Sequence, residues 1–484
     1  MAAAVPVESL EAVLSATPPA APILAGDATH SQNIEHVAGA DVAVSLSWDF
    51  FAGTEPVDLD ASALVFDEFG VLLDAAFYNQ LVCMDGALVH SGDCVDGVGD
   101  GVDEAIHVDL DALPAHAHLV VVLVNAYKGG SFAHVETAHC AVTGCEGFDI
   151  GCSGDHTGLL LFALHRQSAK EAGGADGSAQ WQIRRFGATG FPCAGVAFDE
   201  SLPAVRAALG SAGLLDPVLL AERCLSEDRS FAMAKGDCVT IPADLFQGGD
   251  DFYVGLGWSC GPDIDLDASV IVCDGYGGGR AINVVAFNDT EFGSAVQHQG
   301  DNQTGDGDGD DETILIDLDA MPEAVRSCFV VVNIYSAGRT FGDVHDAYIR
   351  LVSCKTHREL ARYTLHDGLG GNGVVFAKIR RAPSASGLSR EWQLCTIGDG
   401  CEGVVAGSEA TMGACHVTGW LGGSPHSAEI AAIECTAHAA RAVHKTLGRS
   451  LSQRAFQDAM RARDSMNQQQ AAQPPPAQGC CAVQ

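Results

Sequence analysis

Positive charge is scarce in this sequence. Of 484 residues, 26 are Lys or Arg and 63 are Asp or Glu, giving a formal charge of -37. No Lys or Arg precedes Lys128, while 20 acidic residues do. A field of that sign repels phosphate backbones, so nucleic acid is not an expected partner, and cations or basic proteins are. Long apolar runs are missing too: none reaches the ~20 residues that a membrane-crossing helix needs. The start, MAAAVPVESL, lacks the basic n-region and long apolar h-region of a secretory leader. The 18 Cys are therefore read as mostly buried free thiols in a reducing, cytoplasmic setting. The run Cys140, Cys145, Cys152 with His139 and His156 fits no familiar zinc spacing.

What is present is a hydrophobic fraction of 47%, enough for real cores, and an internal repeat. His90–Pro114 aligns without gaps with His298–Pro322, and 15 of the 25 positions are identical. Trp48, VDLDAS at Val57–Ser62 and the LVNAY ending at Tyr127 find their counterparts in order. These are Trp258, IDLDAS at Ile264–Ser269 and the VVNIY ending at Tyr335. Further markers continue through Phe162 and Phe376, then Trp181 and Trp392. The chain is a duplicated domain rather than a short solenoid.

Short Val/Ile/Phe-rich runs separated by Gly, Asp and Asn predict an all-β fold with two β-sandwich domains. Helical spacing over Leu202–Leu225 predicts a linker helix, and Ser427–Asp464 a C-terminal amphipathic helix. The expected organisation is a leader at 1–25, domain 1 at 26–198, a helical linker at 199–229 and domain 2 at 230–405. An amphipathic helix at 425–467 and a disordered tail at 468–484 complete it.

Two acidic segments in each copy carry the chemistry. In the second copy they are Asp263, Asp265 and Asp267, then Asp301, Asp306, Asp308, Asp310, Asp311 and Glu312. No Lys or Arg lies between Arg280 and Arg326. Like charges ~4 Å apart repel by ~1 kcal/mol even in water. A hard dication should join them, because the adjacent chain supplies no positive group. Calcium suits this donor set: it takes 6–8 oxygens at flexible geometry. Asn302 adds a neutral oxygen, and Gly305, Gly307 and Gly309 permit turns that aim carbonyls inward. Soft metals would want the Cys and His that this loop lacks. The first copy keeps Asp58, Asp60, Asp93, Asp100, Asp103 and Glu104, but has Pro56, Cys94, Val98 and Val102 where the second has Asp263, Asn302, Asp306 and Asp310. It is expected to hold one ion weakly, or none. The alternative for either copy is a solvated acidic loop. Neither is an EF-hand, since Asp311 replaces the required Gly and a strand-like ILI follows. His90 and His298, which lead the loops, are expected to pack locally.

These residues resemble the TerD domain of tellurium-resistance and stress-response proteins. The likeness rests on GLGW at Gly255–Trp258, DIDLDAS at Asp263–Ser269, HQGDNQTGDGDGDDE at His298–Glu312 and FGDVHDAYIRLV at Phe341–Val352. ARYTL at Ala361–Leu365 and EWQL at Glu391–Leu394 extend it. The resemblance implies calcium-binding β-sandwiches with a non-enzymatic role in chemical stress, as a sensor or scaffold for a protein partner that the motifs do not name.

Two other classes stay open: a metal-dependent hydrolase, and a module for a nucleotide-like anion bridged by calcium. Gly257-Trp-Ser259-Cys-Gly261 imitates a nucleophile elbow, but an acidic run follows where a helix is needed. The terminal Cys481-Ala-Val-Gln484 matches a C-a-a-X box with Gln at X, which favours a farnesyl group, and Cys480 is a second acylation candidate. One lipid anchors only marginally, so both would be needed to hold the chain at the cytosolic face of a membrane. Mass spectrometry of the C-terminal peptide from native cells checks this: a prenyl mass on Cys481 is expected, and an unmodified thiol rejects the anchor.

Overall fold

The computed structural model describes residues 34–36, 40–97, 101–143, 145–167, 180–246, 252–259, 264–274, 281–302, 309–336, 338–364, 371–385, 389–403 and 405–407. The leader, the amphipathic helix expected at 425–467, the tail, Cys480 and Cys481 lie outside these residues. Two β-lobes follow one another, each made of two facing sheets, with short helices between.

The strands that carry the argument are β1 (Asp41–Phe50), β2 (Asp58–Phe66), β3 (Glu104–Asp109) and β4 (Leu119–Lys128) in the first lobe. Their counterparts in the second are β5 (Phe252–Ser259), β6 (Leu266–Cys273), β7 (Glu312–Ile316) and β8 (Ser327–Ile334), joined there by β9 (His345–Ser353). In the first lobe one sheet runs Ile34–His36, Trp181–Arg185, Gly158–Arg166, β4, β2, Leu72–Ala76. The second lobe repeats that order as Cys238–Ile241, Trp392–Cys401, Gly373–Arg381, β8, β6, Ala281–Val285. The opposing sheets also match: β1 pairs β3 as β5 pairs β7. The duplication read from sequence is thus a duplication of topology.

Each lobe buries an apolar layer between its sheets. Inward residues of β2, such as Leu59, Ala61, Ala63 and Val65, join Val42, Leu46, Ile106 and Val108 from the facing sheet. Full burial of a Leu or Val contributes ~1.5–3 kcal/mol. The other face of β2 is covered as well. Leu64 and Phe66 pack under helix α1 (Phe198–Ser211), which lays down Phe198, Val205, Ala208 and Leu209. That is why the second half of β2, Ala63–Phe66, reads as a continuous apolar run, while its first half alternates.

The linker differs from the single helix expected over Leu202–Leu225. It is α1 followed by a short α2 (Pro217–Glu222). Gly213 breaks it with a φ of 71°, a region that disfavours side chains. Pro217 then starts α2, with the Asp216 side chain accepting from the Val218 N–H (2.9 Å). Among the described residues one pair departs from the expectation of mostly free thiols: Cys238 and Cys395, directly opposite on neighbouring strands, form a disulfide.

Candidate metal sites

Asp58 and Asp60 stand two residues apart at the start of β2, so both project to one face of the sheet. Asp93 reaches them from the loop after Leu88–His90, and carboxylate oxygens of the three lie within 4.8 Å of one another. In the second lobe Asp265, Asp267 and Asp301 form the same triad. Asp58 and Asp60 are buried, and Asp267 is only 3% exposed. Asp58 Oδ1, Asp265 Oδ1 and Asp267 Oδ2 are buried with no hydrogen-bond partner among the described residues.

This arrangement is costly for bare carboxylates. Burial, then the charge of Glu104 and of the neighbouring aspartates, pushes Asp60 up to about 9. Burial, Asp93 and Glu104 push Asp58 up to about 6. Burial and Glu312 lift Asp267 to about 7, and Asp265 is raised for like reasons. A cation among these oxygens would reverse the effect, because an opposite charge favours the ionised form.

The Asp-Glu pair that closes each loop does a different job. Glu104 accepts from the Ala61 N–H (2.8 Å) and the Cys94 N–H (3.2 Å). Glu312 accepts from Ala268 (2.7 Å) and Asn302 (3.2 Å). The preceding residues do likewise: the Trp48 N–H donates to Asp103 and the Trp258 N–H to Asp311, each at 3.0 Å. These four acids pin the loop to both sheets, and β2 and β6 are thereby held where their aspartates converge. Behind each glutamate sits a buried histidine. His90 Nε2 is 3.6 Å from Glu104, and His298 Nε2 is 3.7 Å from Glu312. The Gly92 and Gly300 N–H groups donate to the Nδ1 atoms of these rings, so both histidines also fix their loops.

Asp310 does not join the triad. It is gripped by Arg350 of β9, with Nε and the second guanidinium nitrogen donating at 2.7 and 2.8 Å, and by the Tyr348 hydroxyl at 3.1 Å. The adjacent chain supplies no positive group, as expected, but a strand farther along the chain does. Arg350 is remote in sequence, but the β5–β9 register sets it opposite Gly255. A Cβ on Gly255 would lie 2.3 Å from the Asp310 carboxylate, so glycine leaves the room for this pair. In the first lobe Val102 and Ala141 occupy the equivalent positions, and both members of the pair are gone together.

Of the other expected ligands, Asn302 turns its amide toward Asp311 (3.4 Å). Asp263, Gly305, Asp306, Gly307, Asp308 and Asp100 lie outside the described residues. The Cys140–Cys152 run makes no metal-ligand cluster among the described residues: His139 pairs with Asp149 (2.7 Å), and Cys152 Sγ points at the Val135 carbonyl. Sequence reading passed over Asn125, which the β2–β4 register sets opposite Asp60, and whose Oδ1 is buried without a hydrogen-bond partner among the described residues. The signal was the LVNAY marker, used only for alignment.

An all-oxygen, carboxylate-rich donor set with orphaned buried oxygens fits a hard dication such as calcium, and gives soft metals nothing to bind. Asp265, Asp267 and Asp301 would hold it in the second lobe, and Asp58, Asp60 and Asp93 in the first.

A family model described as TerD domain matches residues 30–156 and 230–407. Stress response protein SCP2 of Bacillus subtilis (strain 168) is 37% identical over 162 residues, covering 32% of this chain and 78% of its own. Tellurium resistance protein TerD of Serratia marcescens is 38% identical over 194 residues, covering 38% of this chain and 97% of its own. The crystal structure of a homologue of telluride resistance protein from Streptomyces coelicolor A3(2) is 22% identical. It covers 34% of this chain and 96% of its own, at a TM-score of 0.28.

Proposed function

The chain belongs to the TerD domain family, and from that premise we propose that it is a calcium-binding stress-response protein acting as a sensor or scaffold rather than an enzyme. The single observation that carries the calcium reading is the pair of triads. Each holds buried carboxylate oxygens that nothing else among the described residues satisfies.

Calcium supplies positive charge that lets the aspartates ionise together. The chain's own residues do the rest. Glu104, Asp103, Glu312 and Asp311 hold the loops to the sheets through backbone N–H groups, which fixes Asp93 and Asp301 over β2 and β6. Ordering one end of each lobe alters the surface offered to a partner. Tellurite and related chemical stress enter as the class of stimulus from the names of the relatives.

Calorimetric titration of the full chain with calcium tests the reading. Two binding events are expected, and Asp267→Asn should abolish the one belonging to the second lobe. No heat at millimolar calcium would reject it.

A further inference from the structure

Beside each triad stands an exposed tyrosine. Continuing the β6–β8 register one step beyond Leu266 and Ile334 sets Tyr335 opposite Asp265, and the Tyr335 N–H donates to the Asp265 carbonyl at 3.0 Å. Cross-strand neighbours hold their Cβ atoms ~4.5–5.5 Å apart, so this ring rises beside the acids. Tyr335 is 55% exposed, and its centroid lies 6.0 Å from that of Phe287 at an interplanar angle of 68°. The first lobe carries the matching tyrosine in an altered register: a β-bulge sets Lys128, not Tyr127, opposite Asp58. Tyr127, 46% exposed, follows Asn125 by two residues on β4, and Asn125 pairs with Asp60. Its ring is 6.1 Å from that of Tyr78.

Single exposed rings need no explanation. Here, however, two rings adjoin a triad whose Asp267 is buried with an unpartnered oxygen. The first lobe keeps this ring pair although the Asp310–Arg350 pair has given way to Val102 and Ala141.

We propose that each triad and its ring pair form one composite site for a phosphorylated ligand with a flat heteroaromatic ring, of the nucleoside diphosphate class. The inference rests on the calcium reading above. The triad aspartates would hold the ion, whose remaining positive charge would attract hard phosphate oxygens, which suits a cation that takes 6–8 oxygen ligands. Tyr335 or Tyr127 offers its face to the ligand's ring. With a net charge of -37 the chain repels a bare phosphate, so binding requires the ion.

The test uses the full chain with ADP as probe, in calcium and again in excess chelator. ADP should bind in calcium and not in chelator, and more tightly than inorganic phosphate or adenosine. Combined Tyr127→Ala and Tyr335→Ala should weaken ADP by roughly 5- to 150-fold, the range for loss of one stacked base. Calcium heats should be unchanged in that variant, and Tyr→Phe at both positions should restore ADP binding. Calcium uptake without ADP binding overturns this inference alone, as does equal ADP affinity in the alanine variant. Absence of calcium uptake overturns both readings.

Discussion

Arg350→Ala should destabilise the second lobe by about 3 kcal/mol, near the lower end of the roughly 3–5 kcal/mol seen when one partner of a buried ion pair is removed. The Asp310 side chain is 7% exposed and Arg350 24%, so the carboxylate left behind would be nearly buried, keeping the Tyr348 hydroxyl but losing its guanidinium. The lower end is chosen because water reaches the guanidinium. A loss of that size lowers the melting temperature by roughly 6–12 °C in a domain of 150–250 residues. The first lobe shows how to undo it: its Val102 and Ala141 fill the same positions without charge. Arg350→Ala with Asp310→Val should therefore recover most of the loss. Thermal unfolding in chelator keeps ion binding out of the comparison. A double variant as unstable as the single one would show that the stranded charge is not the cause.

The second large effect is a change of sign. Asp267→Asn removes a buried charge that crowds Asp265 and Glu312, and its amide can donate to them. In chelator the variant should be at least as stable as the parent. In calcium the order should reverse. An ion at 100 times its dissociation constant stabilises the parent by ~2.7 kcal/mol per site, and the variant should lose that gain in the second lobe. Melting curves of both proteins in chelator and in calcium check this. Equal calcium-induced shifts in the two would remove Asp267 from the site.

The triads were legible in sequence because aspartates two apart on a strand must share a face, and the repeat displayed the pattern twice. The division of labour within the acidic loops was not. Counted along the chain, all these carboxylates look like one unneutralised pool. In three dimensions they separate into a clustered triad of aspartates, backbone acceptors such as Glu312, and one partner for a guanidinium. Arg350 escaped notice because strand pairing, not sequence distance, brings it to Asp310. The split linker was within reach, since Gly213 and Pro217 are ordinary helix breakers, but apolar spacing carried the reading across them.

Helix α1 belongs to neither segment matched by the family model, yet it roofs Leu64, Phe66 and Leu123 of the first lobe. The first matched segment stops at residue 156, ahead of the strand Gly158–Arg166 that pairs with β4. A fragment cut at that boundary would bare a greasy sheet and an open strand edge, and would aggregate whether or not it could bind an ion. The linker is therefore part of the first lobe's architecture, and functional dissection should divide the chain after α1, not before it.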